Sequence, residues 1–279
     1  MVYYQWQSKS LDASKPSKFV YCYHGLVGNA REYDTLAQDL ILADPQRVVI
    51  CPDVPGRGAS APLLNSDDYD LPVYAQDALK LIAATATPGA KVDFLGTSMG
   101  ALIGMTIAMI AKGDSPIQRF VFNDTGPYIP FESITMIGRY LGHEVRFNSF
   151  EEGLQMLKQV HAGFGNLSEA QWNTFASHAL LAFNDEIGKQ LYKFHYDTKV
   201  ALNFAKMTGP YDLWEHWPLI ASSAKFLVIR GEKSPSFTTD VYERMIQHEN
   251  GKGVIISGVG HAPPLLSEDQ TGIVSQFFN

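Results

Sequence analysis

Six short runs of β-branched and aromatic residues recur along the chain, each followed within three residues by Gly, Pro, Asn or Asp. Apart from their first residues, these runs are almost continuously apolar, with no alternation of polar and apolar positions. That pattern is typical of parallel strands that are covered on both faces. The predicted strands are residues 18–23, 47–51, 91–95, 119–122, 225–229 and 253–256.

Segments with helical spacing alternate with these runs. In the clearest of them, Tyr74, Ala78 and Leu81 fall on one face, behind Asp70 as the predicted N-cap and Pro72 in the first turn. Alternation of strands and helices is typical of an α/β fold with a mostly parallel, doubly wound sheet. The predicted helices are residues 30–42, 71–86, 98–111, 238–248 and 265–278.

The alternation stops between residues 122 and 225, where the chain is rich in aromatic, Met and His residues. We predict helices over 150–161, 168–181 and 185–204 and no strand in this stretch. Residues 128–217 are therefore interpreted as a helical cap inserted into a core made of residues 1–127 and 218–279. Such a cap would roof the crevice at the carboxyl ends of the strands, where open α/β sheets bind ligands.

Composition narrows the possible partners. The 279 residues carry a net charge of −7 and show no cluster of Lys and Arg, so we expect neither nucleic acid nor stable membrane binding, and a small-molecule substrate instead. The first ten residues lack the features of a secretory signal, which predicts a cytoplasmic protein. The sequence does not indicate an oligomeric state. No metal-ligand spacing is present, Cys22 and Cys51 are expected to be buried free thiols, and no cofactor is predicted.

The most informative motif is Gly96-Thr97-Ser98-Met99-Gly100, which follows a predicted strand and begins an apolar helix. A serine in such a strand-to-helix turn is pushed out of the backbone bend, and the flanking glycines are needed where strand and helix approach closely. A serine that attacks acyl groups needs a base, an acid and donors for the oxyanion. Ser98 is the predicted nucleophile.

His261 follows the last predicted strand, in Gly258-Val259-Gly260-His261-Ala262-Pro263, and is the predicted general base. After another strand, the bend that begins at His24 would aim the backbone amides of Leu26 and Met99 at the oxyanion. His24 itself is expected to hold this bend by hydrogen bonds. In the loop 53–60, Arg57 is expected to form a salt bridge rather than bind substrate.

These motifs together resemble the α/β-hydrolase superfamily over essentially the whole chain, and in more detail its capped serine hydrolases of the esterase-like subgroup. The resemblance implies the α/β-hydrolase fold, a triad in the order serine, acid, histidine, and a pocket between core and cap. One position departs from the family pattern, because Pro235 stands where the acid is usually found. Proline has no carboxylate to orient His261.

Another carboxylate must then serve as the acid. Asp124 is the first candidate, because it ends the strand before the cap, where some members of the superfamily place their acid; it could instead brace the turn that follows. Glu232 is the alternative acid, and two weaker candidates are Asp212 and Asp240. We predict a serine hydrolase that cleaves small to medium carboxylic esters. A carbon–carbon bond hydrolase and a ligand-binding protein with a decayed triad remain alternatives.

Overall fold

The computed structural model describes residues 1–15 and 17–279. The strands are β1 (Tyr3–Gln7), β2 (Lys18–Tyr23), β3 (Arg47–Pro52), β4 (Val92–Thr97), β5 (Ile117–Asn123), β6 (Tyr128–Ile129), β7 (Arg146–Phe147), β8 (Leu180–Asn184), β9 (Gln190–Phe194), β10 (Tyr211–Asp212), β11 (Lys225–Gly231) and β12 (Gly251–Ile256). The helices are α1 (Asp34–Ala43), α2 (Leu71–Thr85), α3 (Met99–Ala111), α4 (Phe131–Tyr140), α5 (Phe150–Val160), α6 (Glu169–Ala179), α7 (Leu202–Ala205), α8 (Trp217–Ser222), α9 (Thr239–Ile246) and α10 (Glu268–Phe277).

A seven-stranded sheet in the order β1-β3-β2-β4-β5-β11-β12 forms the centre of the molecule. All its strands run parallel except β1, which pairs antiparallel with β3 at one edge. The predicted α/β fold with a mostly parallel sheet is therefore confirmed. β1 was not predicted from the sequence. Its residues alternate between exposed and half-buried because only one face of this edge strand is covered.

Successive strand residues enter opposite faces of the sheet, as the two-residue period of a strand requires. Phe94 packs in the cluster that includes residues of α2, α3, α8 and α9, whereas Leu95 packs in the cluster with residues of α1 and α10. Helices thus cover both faces, and the carboxyl ends of β2, β4, β5, β11 and β12 meet at one edge. The free thiols Cys22 and Cys51 are buried, as expected.

The inserted residues 128–217 contain strands as well as helices, so the prediction that they hold no strand is wrong. β7, β9 and β8 form a separate antiparallel sheet. The predicted helix over residues 185–204 is instead a turn, β9, a short 3₁₀ helix and α7. At the turn Asp185 Oδ1 accepts the amides of Ile187 and Lys189, and Gly188 has φ +83°, a left-handed conformation that ends any helix there.

The inserted segment has an apolar cluster of its own, formed by β7, β8, α5 and α6, with Phe147, Leu157 and Trp172 among its buried members. Residues near its ends, such as Ile134 and Trp217, pack into the main core instead. In the part of the chain that the structure describes, we find no helix with both the length and the apolar character needed to cross a bilayer.

Candidate active site

Ser98 occupies the turn between β4 and α3 with φ 51° and ψ −115°, a backbone conformation that residues other than glycine rarely adopt. A Cβ atom at Gly96 would press on the backbone of Ala101, and one at Gly100 would press on the carbonyl of Tyr23. The two glycines are therefore needed for the close approach of strand and helix. Ser98 is left half-buried, with its hydroxyl at the carboxyl edge of the sheet.

The three predicted catalytic side chains form one hydrogen-bonded row. His261 Nε2 lies 3.1 Å from Ser98 Oγ, and His261 Nδ1 lies 2.6 Å from Asp124 Oδ2. The histidine side chain is 32% exposed, whereas the aspartate is fully buried. Asp124 accepts a hydrogen bond from His261 Nδ1, so the proton of the neutral imidazole is held on that nitrogen. Nε2 is then left to accept a hydrogen bond from the serine hydroxyl.

Asp124 lies in the turn after β5 and accepts two further hydrogen bonds. The amide of Gly231 donates to Oδ1 at 2.7 Å, and the hydroxyl of Ser234 donates at 2.6 Å to Oδ2, the oxygen that also faces His261. Three donors around this fully buried carboxylate fix its orientation. Sequence reasoning did not single out Ser234, although it lies next to Pro235, the unusual residue at the family's acid position.

Glu232, the alternative acid, does not contact His261. Its carboxylate accepts from Ser257 Oγ at 2.9 Å and from the amide of Gly258 at 2.8 Å. These two bonds lower the pKa of Glu232, with the Gly258 amide as the larger cause. The contacts brace the loop that leads to His261, so Glu232 has a structural position here.

Leu26 lies in the loop after β2, and Met99 follows Ser98 as the first residue of α3. The loop after β2 comes close to the serine at Gly25, since a Cβ placed on this glycine would lie 3.8 Å from Ser98 Cβ. Within the described residues, neither the Leu26 amide nor the Met99 amide donates a hydrogen bond to another protein group. Both are therefore free to donate to an oxyanion formed next to Ser98, and their assignment to an oxyanion hole stays a prediction.

His24 holds the loop as expected. The amide of Val54 donates to His24 Nε2 at 3.0 Å, which leaves Nδ1 protonated and donating to the carbonyl of Gly25 at 2.7 Å. Burial lowers the pKa of His24 to about 3, so the ring is neutral. The carbonyl it binds shares a peptide plane with the Leu26 amide, and a trans peptide points these groups in opposite directions. The ring therefore fixes the direction of the Leu26 N–H.

Comparisons with known proteins identify the family of this chain. The model of the alpha/beta hydrolase family matches residues 19–275. This chain belongs to the alpha/beta hydrolase family. It is 36% identical to a 3-hydroxybutyrate-oligomer hydrolase of Cupriavidus necator over 285 aligned positions, covering 100% of this chain and 92% of the relative. The resemblance to the α/β-hydrolase superfamily is thereby confirmed.

Two solved structures share the fold of this hydrolase. A putative hydrolase from Rickettsia typhi superposes with a TM-score of 0.84 at 25% identity, covering 99% of this chain and 89% of the other. An alpha/beta hydrolase from Novosphingobium aromaticivorans superposes with a TM-score of 0.79, also at 25% identity, covering 99% and 97%. The inserted segment is therefore included in both matches, together with the central sheet.

The inserted segment of this hydrolase contacts the loop of His261 directly. The amide of Gly260 donates to the carbonyl of Gly163 at 2.6 Å, and the Cα atoms of the two glycines pack together. Next to this contact lies His161, stacked on Phe164 with ring centroids 4.5 Å apart. Burial, and to a lesser extent the charge of His261, lowers the pKa of His161 to about 4.

Sequence reasoning missed His161 and Gly163 as neighbours of the site. No local signal marks them, because one histidine at the end of an amphipathic helix is indistinguishable from a packing residue. A cavity of about 170 Å³ also lies between α1 and α6, and its lining includes Glu32, His178 and Phe175 but neither Ser98 nor His261. It is a gap at the interface between core and inserted segment, separate from the serine.

Proposed function

We propose that this alpha/beta hydrolase is a serine hydrolase that cleaves carboxylic esters through an acyl-enzyme. The observation that carries the proposal is the row from Asp124 through His261 to Ser98, with contacts of 2.6 Å and 3.1 Å. A strained serine, an imidazole with a fixed proton and a buried carboxylate are the parts that acyl transfer requires. An intact row also argues against the alternative of a binding protein with a decayed triad.

In the first half of the reaction, Ser98 Oγ bonds to the carbonyl carbon while its proton moves to His261 Nε2. The carbonyl oxygen becomes an oxyanion that accepts from the amides of Leu26 and Met99. When the tetrahedral intermediate collapses, the bond to the alcohol breaks and His261 returns the proton to the leaving oxygen. The products of this half are a free alcohol and an ester of Ser98.

In the second half, a water molecule repeats these steps. It gives a proton to His261 Nε2 and attacks the acyl carbon, and the proton then returns to Ser98 Oγ as the acid leaves. Throughout, Asp124 holds the imidazole in its tautomer and stabilises the imidazolium without taking the proton. The burial of Asp124 strengthens this interaction, because solvent screens it less than at the surface.

We further propose that the inserted residues 128–217 act as a cap over this site and that short oligomers of 3-hydroxybutyrate are substrates. Support for the cap comes from its contact with the His261 loop through Gly163. Support for the substrate comes from the relative of that name, which is 36% identical over the full length of this chain. Such oligomers contain the carboxylic ester bond for which the site is suited.

The test combines labelling and turnover. Purified protein is treated with a fluorophosphonate probe, and the labelled peptide is identified by mass spectrometry. Release of 3-hydroxybutyrate from its trimer is measured beside hydrolysis of p-nitrophenyl butyrate. We expect labelling at Ser98 and a loss of turnover of about 10⁶-fold in Ser98→Ala. Thr106→Ala, on the same helix with its hydroxyl on the Leu102 carbonyl, is the control.

Wild-type protein that is unlabelled and as inactive as Ser98→Ala would overturn the serine mechanism. Hydrolysis of the p-nitrophenyl ester without attack on the trimer would overturn the substrate only. Cleavage of a diketone in preference to either ester would favour the carbon–carbon hydrolase, which uses the same nucleophile and base.

A further inference from the structure

Arg57 is a fully buried cation directly behind the predicted oxyanion hole. Its Nε donates to the carbonyl of Leu26 at 2.8 Å, and its Nη2 contacts the sulfur of Met99 at 3.4 Å. Its Nη1 donates to the carbonyl of Pro55 and to the hydroxyl of Tyr74, each at 2.8 Å. One guanidinium thus touches both residues whose amides are predicted to hold the oxyanion.

The expected salt bridge of Arg57 is not found. Within the described part of the chain, its hydrogen bonds go to carbonyls, a phenol and a thioether, and Asp53 in the same loop is bonded to the amides of Ala30 and Ala59 instead. Burying a guanidinium costs free energy because the group loses its hydration. In this protein neutral acceptors, and not a carboxylate, supply the hydrogen bonds that offset this cost. What distinguishes Arg57 is the place of its contacts, two of which are made to Leu26 and Met99.

The backbone on both sides of Arg57 adopts positive φ angles, and the side chain between them is buried. Gly56 and Gly58 on either side have φ values of 78° and 52°. Tyr69 and Tyr74 place their rings 5.6 Å and 5.1 Å from the guanidinium carbon, which allows cation–π attraction.

The inserted segment fixes the same loop from the other side. Gly58 donates its amide to the carbonyl of His195 at 3.0 Å, and the amide of Asp197 donates to Gly56 at 2.8 Å. The phenol of Tyr69 donates to Asp197 at 2.6 Å. The position of Arg57 is therefore determined jointly by the core and by residues 195–197.

We propose that Arg57 is a positioning residue of the oxyanion hole, holding the loop of Leu26 and the first residue of α3 at the separation that two amides need to share one oxygen. The forked guanidinium reaches the Leu26 carbonyl with one nitrogen and Met99 with another, and lysine has no equivalent fork. The positive charge also lies behind the two amides, where it favours negative charge on the oxygen they bind. This inference rests on the proposed serine mechanism.

The kinetic test uses Arg57→Lys and Arg57→Met. Oxyanion donors act in the transition state, so we expect kcat to fall about 10- to 100-fold with KM changed less than about twofold. Affinity for a trifluoromethyl ketone, which mimics the tetrahedral intermediate, should fall by the same factor. Tyr74→Phe removes one bond to the guanidinium and is expected to lower kcat by a smaller factor.

Arg47 provides the matched control, because it is also fully buried but bonds to the Leu40 carbonyl and to Asn279, away from the serine turn. Arg47→Lys should lower thermal stability and leave kcat and inhibitor affinity unchanged. If the Arg57 and Arg47 variants lose stability alike and both keep wild-type kcat, the inference is overturned and the serine mechanism stands.

A second measurement does not depend on turnover. In Arg57→Lys the amide resonances of Leu26 and Met99 should show exchange broadening by NMR relaxation dispersion, and in Arg47→Lys they should not. Rigid amides at both residues in Arg57→Lys would contradict the positioning function even if kcat fell. An inactive, unlabelled wild-type protein with broadened amides in Arg57→Lys would overturn the proposed function and retain the positioning.

Discussion

The edge of the central sheet and the inserted segment 128–217 meet around one histidine, yet their sequences are unequally informative. At the sheet edge, Ser98, Asp124 and His261 each follow a buried strand, and their relative positions come from the parallel register of β4, β5, β11 and β12. In the inserted segment, Gly163 in a short turn contacts the His261 loop at Gly260. The first region is constrained by a continuous apolar core, and the second by packing between half-buried elements.

Strands buried on both faces and half-buried hairpins have different sequence patterns. A strand buried on both faces is apolar throughout, so its end can be located and the residue after it can be assigned to the sheet edge. A half-buried hairpin such as β8 and β9 has a mixture of polar and apolar positions that also fits a helix. Substitutions on each side of the comparison test it.

The largest effect is expected at the sheet edge. Asp124→Asn keeps the shape of the side chain but cannot hold the His261 tautomer, so kcat should fall about 10⁴-fold. Glu232→Gln is the matched control, since the Glu232 carboxylate binds Ser257 and Gly258 in the loop before His261, and this variant should keep kcat within about twofold. Steady-state kinetics on p-nitrophenyl butyrate decide between them. The reverse order would assign the acid to Glu232.

A smaller effect is expected where the inserted segment contacts the histidine loop. A Cβ at Gly163 would lie 3.2 Å from the Cα of Gly260, so Gly163→Val should displace His261 and lower kcat about 10- to 100-fold. Gly209→Val, in the same segment with no atom within 4 Å of its added Cβ, should leave kcat unchanged. Equal turnover in the two variants would mean that the inserted segment does not position His261.

The smallest effect on turnover is expected at the interface cavity, where the change is in stability and depends on pH. Burial raises the pKa of Glu32 to about 7, whereas the unfolded chain titrates near about 4.3. The stabilising contribution of Glu32 is therefore complete below about pH 4.3 and is lost as the pH rises through about 7. Glu32→Gln does not ionise and keeps an acceptor for the Asn29 amide.

The unfolding free energy of Glu32→Gln minus that of the wild type should therefore rise with pH, by up to about 1.4 kcal/mol per pH unit between about pH 4.3 and 7, and then level off. Urea unfolding of both proteins from pH 4.5 to pH 8 measures this difference. A constant offset at every pH would show that the substitution acts through lost contacts and not through ionisation.

Much of the site could be predicted because several of its residues lie in short motifs that can be recognised from neighbouring residues. The glycines around Ser98 and around His261 lie next to apolar runs, so both residues could be assigned to turns at strand ends. Asp124 could be selected only as one of several acids, because the sequence shows that Pro235 lacks a carboxylate but not which other carboxylate reaches the imidazole. Ser234, which bonds the same carboxylate oxygen as His261, could not be found at all.

The surroundings of Arg57 had no counterpart in the sequence. Arg57 was expected to pair with an acid, since charge alone predicts a salt bridge, but its partners are the backbone of Leu26 and Pro55 and the side chains of Tyr74 and Met99. Carbonyl acceptors are present at every residue, so no pattern of side chains identifies the ones that a buried guanidinium will bind.

By itself, the sequence determined the family, the parallel sheet, the serine turn and the histidine loop, because each depends on residues within one strand and the turn that follows. The tertiary structure alone decided which acid faces His261, how residues 180–194 pair as a hairpin, and which groups surround Arg57. These outcomes depend on contacts between residues far apart in the chain, such as Asp124 with Ser234 and Gly163 with Gly260, and their free energies are set by packing geometry that local patterns do not encode.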